Sequence, residues 1–184
     1  MAAPKRVTIE VNVINDPSKP GGVWFELGYK HVFSGQKLKF QNEDHPGFWV
    51  HFNIVDDIGS GCTFLPNLLD AMWVEPISST PPYSCPTAPV HWGEFQATGY
   101  GGNVNHPDYT TLVVRNLNDT PTLFAFTLRF HKPGWPTPID YDPIGDNQNG
   151  PRTFSNLKLV VAGLLTCAAV FTAVEVFFDP GFIN

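Results

Sequence analysis

An unbroken apolar run near the C-terminus limits what this chain can fold into more than any other feature of its sequence. Residues 159–178 read LVVAGLLTCAAVFTAVEVFF, and Glu175 is the only charged residue among them. A helix of about 20 residues rises about 30 Å, which matches the hydrocarbon core of a bilayer. The run therefore predicts a single transmembrane helix over residues 157–178, followed by a short tail, residues 179–184. A buried helix or a final hairpin of a soluble core is the alternative interpretation.

The charges that flank this run predict how the chain is oriented. Arg152 and Lys158 precede the run, whereas no Lys or Arg follows it. Cytoplasmic flanks carry an excess of Lys and Arg, so the N-terminal domain is expected in the cytoplasm and the C-terminus on the opposite side of the membrane. The first residues lead directly into an alternating pattern without a continuous apolar segment, and we therefore expect no signal peptide.

Small residues recur along one face of the predicted helix. Ala162, Thr166, Ala169 and Ala173 are spaced by four, three and four positions, which places them in one stripe. Such stripes allow membrane helices to approach closely, so this one predicts a partner helix, although small residues are common in membrane helices. Glu175 lies on another side and close to the polar tail. It is predicted to be an interfacial acid rather than part of a proton relay, or else a contact with a partner.

Much of the chain before residue 131 alternates between apolar and polar positions. This pattern is typical of strands that are buried on one face, and it occurs in five segments, residues 7–13, 37–40, 48–55, 110–115 and 122–130. We predict a mainly β fold, an antiparallel two-sheet β-sandwich of about seven strands over residues 5–130. Residues 131–156, rich in Pro, Asp and Asn, are predicted to form an arm that leads to the helix.

Part of this pattern resembles a known family of sandwich domains. The strand that begins near Val7, the run GQKLKFQN at 35–42 and the strand around His51 are similar to the opening of cupredoxin domains, while the alternation also suits an immunoglobulin-like sandwich. The cupredoxin resemblance implies electron transfer through copper held by two His, one Cys and a weak axial ligand. Its candidates are His51, Cys85 and His91. No Met follows His91, so the preferred prediction is a scaffold without a metal or other cofactor.

The sequence also bears on the state of two cysteines and on the role of two proline-rich segments. Cys62 and Cys85 are predicted to be free thiols, since three cysteines do not make a disulfide framework. Residues 76–92 and 131–153 are rich in proline, and long loops of this kind are often functional. The alternative is that they are pinned over the sandwich by Trp92, Tyr83 or Trp135.

Together these features predict a non-enzymatic protein. The net charge of −6 and the absence of a basic cluster argue against a nucleic-acid partner. No serine-nucleophile elbow and no zinc-binding HExxH pattern occurs. We expect an accessory subunit that docks onto and stabilises a larger membrane protein complex, such as a respiratory or photosynthetic assembly, through both its helix and its sandwich. The alternatives are a membrane-tethered cupredoxin-like copper protein and a soluble ligand-binding sandwich.

Overall fold

The computed structural model describes residues 4–28, 32–33, 37–40, 47–77 and 84–147. The described residues form a mainly β fold, and the predicted strands are confirmed. The elements in chain order are β1 (Lys5–Asn15), a 3₁₀ turn (Pro20–Gly22), β2 (Val23–Gly28), β3 (Val32–Phe33), β4 (Lys37–Phe40), β5 (Phe48–Val55), β6 (Thr63–Phe64), α1 (Leu68–Ala71), β7 (Met72–Pro76), β8 (Phe95–Asn103), β9 (His106–Asn116), β10 (Thr122–His131), β11 (Ile139–Tyr141) and β12 (Ile144–Asn147).

Five strands form the first sheet, in the order β2-β1-β5-β9-β8. Within it, β1 and β5 run parallel, with Val7 opposite Val50. Alternate residues of each strand point to opposite faces, so the valines and Ile9 of β1 turn inward together with Phe48, Val50 and Phe52 of β5. Val11, Val50 and Phe52 are completely buried as a result.

The second sheet is built around β10. This strand pairs with β11 and β12 along one side and with β6 and β7 along the other, and the sheet continues from β12 through β4 to β3. β12 and β4 run parallel, with Ile144 opposite Lys37. Both sheets are therefore mixed: the predicted mainly β, two-sheet architecture is confirmed, but the prediction that the sheets are antiparallel is wrong. Side-chain alternation has the same period in parallel and antiparallel strands, so it carries no information about strand direction.

Aromatic side chains from the two sheets meet in the core. Phe25 of the first sheet stacks on Phe130 of the second, with ring centroids 3.9 Å apart. Phe95 similarly contacts Phe124, with centroids 4.5 Å apart. Rings of this size bury large apolar areas, and each such pair adds about 0.5–1.5 kcal/mol beyond burial. The phenylalanines that alternate along the sequence therefore hold the two sheets together.

Two of the described strands lie in the segment predicted to be an arm. β11 pairs with β10, and its Ile139 and Tyr141 are buried in the core. The Tyr141 hydroxyl also accepts a hydrogen bond from the Leu27 amide at 3.3 Å, which ties β11 to the edge of the first sheet. The folded β domain therefore continues past residue 130 to Asn147. Only two apolar positions alternate in β11, too few to stand out among the surrounding Pro and Asp residues.

The predicted transmembrane helix lies outside the described residues. The same holds for the stripe of Ala162, Thr166, Ala169 and Ala173, and for Glu175. In the described ranges, no helix is both long and apolar enough to cross a membrane.

Candidate interaction surface

The three residues considered as copper ligands do not come together in the fold. His51 lies on β5 between the buried residues Val50 and Phe52, so its imidazole points to the outer face of the first sheet. The Nη2 atom of Arg6 lies 3.4 Å from its Nδ1 atom. Burial and the neighbouring Arg6 guanidinium both lower the pKa of His51. These surroundings favour the neutral form of the imidazole.

Cys85 lies on the far side of the molecule, at the outer face of the second sheet. Its Sγ atom is 3.8 Å from the Pro143 carbonyl oxygen. Nearby, the Thr127 hydroxyl lies 2.8 Å from the Pro86 carbonyl oxygen and 2.7 Å from an Asp142 carboxylate oxygen, and its one proton is donated to one of them at a time. The proline-rich segment that contains Cys85 and Pro86 is therefore pinned over this sheet.

The environment of Cys85 favours a half-buried, protonated thiol rather than a metal ligand. Burial, followed by the charges of Asp142 and Glu75, raises the pKa of Cys85 to about 11. Two packed sheets, about 10 Å apart, separate this thiol from the outer face where His51 lies. Cys62 and Cys85 are both free thiols, as predicted. Across the described ranges, no group of three or more His, Cys, Asp or Glu side chains is placed to hold a metal ion.

His91 is exposed beside a small groove at one edge of the sandwich. The groove lies between β7, at the edge of the second sheet, and β8, at the edge of the first, and has a volume of ≈140 Å³. Sites for small molecules usually measure about 300–1,000 Å³, whereas a cavity of about 150 Å³ holds one benzene. The groove therefore matches a single apolar side chain. Its lining residues are Leu68, Leu69, Met72, Val74, His91, Gln96 and Ala97.

The four-residue helix α1 forms one wall of this groove. Asn67 caps it, because its side-chain oxygen accepts the Leu69 amide at 3.2 Å, while its side-chain nitrogen donates to Asp70 at 2.8 Å. Asn is among the preferred residues at this position because it satisfies an otherwise unpaired amide. The cap fixes α1 so that Leu69 remains 61% exposed at the groove. An exposed leucine next to an apolar groove is a typical contact residue.

A hairpin of β8 and β9 extends along the same edge. β9 pairs with β5 only from Thr111 onward, so the distal part of the hairpin is joined to the first sheet through its base. The Tyr100 hydroxyl donates to the Leu65 carbonyl at 2.5 Å, and the rings of Tyr100 and Tyr109 meet edge to face at 4.9 Å. Burial and the neighbouring Tyr109 raise the pKa of Tyr100 to about 12. At the tip, Val104 is 98% exposed.

We call this surface the α1–β8 edge. It consists of α1 (Leu68–Ala71), the groove residues, and the side of β8 (Phe95–Asn103) that faces away from β9. β8 ends the first sheet, and among the described residues its outer side carries only a bridge between Trp92 and Phe95. Unpaired strand edges present rows of backbone donors and acceptors to a potential partner. The surface therefore combines backbone hydrogen-bonding groups with an apolar groove.

The α1–β8 edge carries one acidic residue on its short helix, Asp70. No Lys or Arg occurs in the sequence between Lys39 and Arg115, and that interval supplies α1, β7, β8 and the hairpin. Asp70 lies on α1 and Asp108 on the hairpin. Arg115 is the cross-strand partner of Gln96 in β8, and its guanidinium lies 5.1 Å from the Trp49 ring on β5.

Sequence reasoning identified only part of this surface. His91 was singled out as a metal candidate, but Leu69, Tyr100 and Ala97 were not singled out at all. The PNLLD segment at residues 66–70, with Asn67 before two leucines, is the signal that could have indicated α1.

Fold and surface together define a mainly β, two-sheet domain with a partly apolar groove at one edge. Comparison of the sequence with known protein families and with curated proteins finds no match.

Proposed function

We propose that this protein is a membrane-anchored, non-enzymatic accessory subunit that docks onto a larger membrane protein complex and stabilises it. The observation that carries the proposal is the apolar run over residues 159–178, which has the length and composition of a single-pass anchor. Arg152 and Lys158 before the run favour a cytoplasmic β domain. The stripe of small residues in the run would pack against a partner helix.

The α1–β8 edge supports the docking part of this proposal. Its groove has room for one apolar side chain, and the exposed Leu69 of α1 extends the apolar surface beside it. Residues of this kind contribute to protein contacts when a partner removes them from water. The β domain would thus contact the extramembrane part of a complex while the helix contacts its membrane part.

Membrane attachment is tested by fractionation of cells that express the full chain. We expect the protein in the membrane pellet, resistant to high salt and alkali and released by detergent. Replacing Leu165 by Arg places a charge near the middle of the run, which costs about 2.5–3.5 kcal/mol in insertion, and should move a large share of the chain to the soluble fraction. Release of the unmodified chain by alkali alone would contradict an anchor.

Assembly is tested by mild detergent purification and identification of the proteins that co-purify. Ala169→Leu adds bulk to the small-residue stripe and should reduce co-purification, whereas Val160→Leu adds bulk on the opposite side of the predicted helix and should not. A monodisperse, lone monomer from the unmodified chain would count against the accessory-subunit proposal.

A further inference from the structure

The outer face of the first sheet differs in charge between its two ends. It is formed by the alternate residues of the five strands that point away from the buried core. At one end, the pairing registers place Arg6, Trp49 and Arg115 side by side on β1, β5 and β9. Toward the other end, Glu26 of β2 lies diagonally across from Glu10 of β1. Basic side chains therefore lie at one end of this face and acidic side chains toward the other.

The charges at the two ends are too far apart to neutralise one another. Arg6 and Glu10 are four residues apart on β1, which separates them by about 13 Å at about 3.3 Å per residue. Within the part of the chain that the structure describes, Arg6, Glu10 and Glu26 form no ion pair. Lys19, in the loop between β1 and β2, lies near Asp16, which offsets its charge. The opposite charges of the face can therefore be paired by a second molecule.

A second copy of the same face has the complementary arrangement. A two-fold axis that lies in the plane of the face and runs across the strands turns each end of one copy onto the opposite end of the other. It brings Arg6 to the carboxylates of the second chain, and each contact occurs twice by symmetry. Trp49, 37% exposed at the basic end, would then meet the region of Ile14, which is 36% exposed at the acidic end. Charge and exposed apolar surface are thus both self-complementary.

The face is also large enough for a stable contact. β1 has 11 residues, so the face is about 36 Å long, and five strands spaced by about 4.8 Å make it about 19 Å wide. Its area of about 700 Å² approaches the roughly 800 Å² that each partner buries in a standard interface. Between the two ends lie Thr8, Val113 and His51, whose surroundings favour the neutral imidazole. The middle of the face therefore adds no repulsion between two copies.

We infer that the outer face of the first sheet binds the same face of a second copy of this chain, with the strands of the two copies antiparallel. Arg6 of each copy pairs with the carboxylates of Glu10 and Glu26 in the other. Complementary charges fix the relative orientation of the two copies, because the opposite orientation would bring like charges together. This inference goes beyond the proposed function and does not depend on the membrane anchor.

The dimer is tested with the full chain in detergent by analytical ultracentrifugation. We expect a species of two chains that dissociates on dilution and weakens as salt is raised. Arg6→Glu should weaken it by at least about tenfold, because each reversal acts twice and places like charges together. Glu10→Arg combined with Glu26→Arg should do the same with the opposite sign. Asp119→Arg is the matched control: it reverses an exposed acid in the turn between β9 and β10, away from the face, and should leave the dimer unchanged.

The two reversed chains together test the pairing itself. The Arg6→Glu chain carries carboxylates at both ends of the face, and the chain with Glu10→Arg and Glu26→Arg carries guanidinium groups at both. Mixed in equal amounts, they should form a pair at concentrations where each alone is monomeric. Cooperative thermal unfolding of each variant shows that it is folded.

Three results would overturn the inference. One is an unmodified chain that stays monomeric at every concentration. Another is a mixture of the two folded variants that does not pair. The third is a dimer that neither reversal weakens, which would place the contact elsewhere, such as in the predicted membrane helix. If one variant does not fold, the other still decides by comparison with Asp119→Arg. Release of the chain from membranes by alkali contradicts the anchor and leaves the dimer test unaffected.

Discussion

The Tyr100 hydroxyl makes a side-chain hydrogen bond that ties the β8–β9 hairpin to the segment before α1. It donates to the Leu65 carbonyl at 2.5 Å, and the ring packs against the hydrophobic core. Tyr100→Phe removes this bond and keeps the ring. A typical hydrogen bond contributes about 0.5–1.5 kcal/mol net, so the free energy of unfolding should fall by about 1 kcal/mol. In a domain of about 150–250 residues, that loss lowers Tm by about 2–4 °C.

Calorimetry and urea unfolding of the unmodified protein and of the Tyr100→Phe variant measure this loss of stability directly. Hydrogen exchange supplies a local readout, because amides in the distal hairpin should exchange faster once the tie to Leu65 is gone. Tyr109→Phe is the matched control: its ring meets that of Tyr100 at 4.9 Å, but among the described residues its hydroxyl makes no hydrogen bond. If both variants lose the same stability, or if neither does, the reasoning about the Leu65 contact is refuted.

Two further predictions concern packing and pH. A Cβ atom at Gly145 would lie 2.1 Å from the Phe124 ring, so Gly145→Ala should lower the free energy of unfolding in urea by about 1–3 kcal/mol. Gly93 has open space around it, so Gly93→Ala should cost much less. Equal losses in the two variants would contradict the close approach at Gly145. Burial holds the pKa of Cys85 near 11 and that of Tyr100 near 12, above their ordinary values of 9.0 and 10.0. The unfolded chain therefore loses these protons first as pH rises, and unfolding free energy should fall between about pH 9 and 12; a flat profile there would contradict this.

The strands were predictable because their signal is local. In β10, Phe124, Phe126, Leu128 and Phe130 alternate with other residues and are all completely buried. The same alternation located β1, β4, β5 and β9. A strand that is buried on one face must show this period whatever its partners are. Local patterns could therefore predict a mainly β fold with a core rich in phenylalanine.

Pairing and site geometry were not predictable by the same means. The parallel contact of β1 with β5 joins Val7 to Val50, and the groove joins Leu68 to Gln96, so both depend on long-range packing. The helix α1 is about one turn long, too short to show a helical period. The separation of the copper candidates also depends on long-range packing. His51 lies on the outer face of the first sheet and Cys85 at the outer face of the second, and neither position can be read from the local sequence.

The proposed anchor changes how strong the contact at the α1–β8 edge needs to be. A β domain and a partner held at the same membrane meet at an effective concentration that can reach about the millimolar range. A contact through one small groove then suffices, although the same contact would be weak between free molecules. Without the anchor, as with Leu165→Arg, co-purification should be lost even though the groove is intact. The two halves of the proposal are thus coupled, because the anchor raises the effective concentration at which the contact at the edge forms.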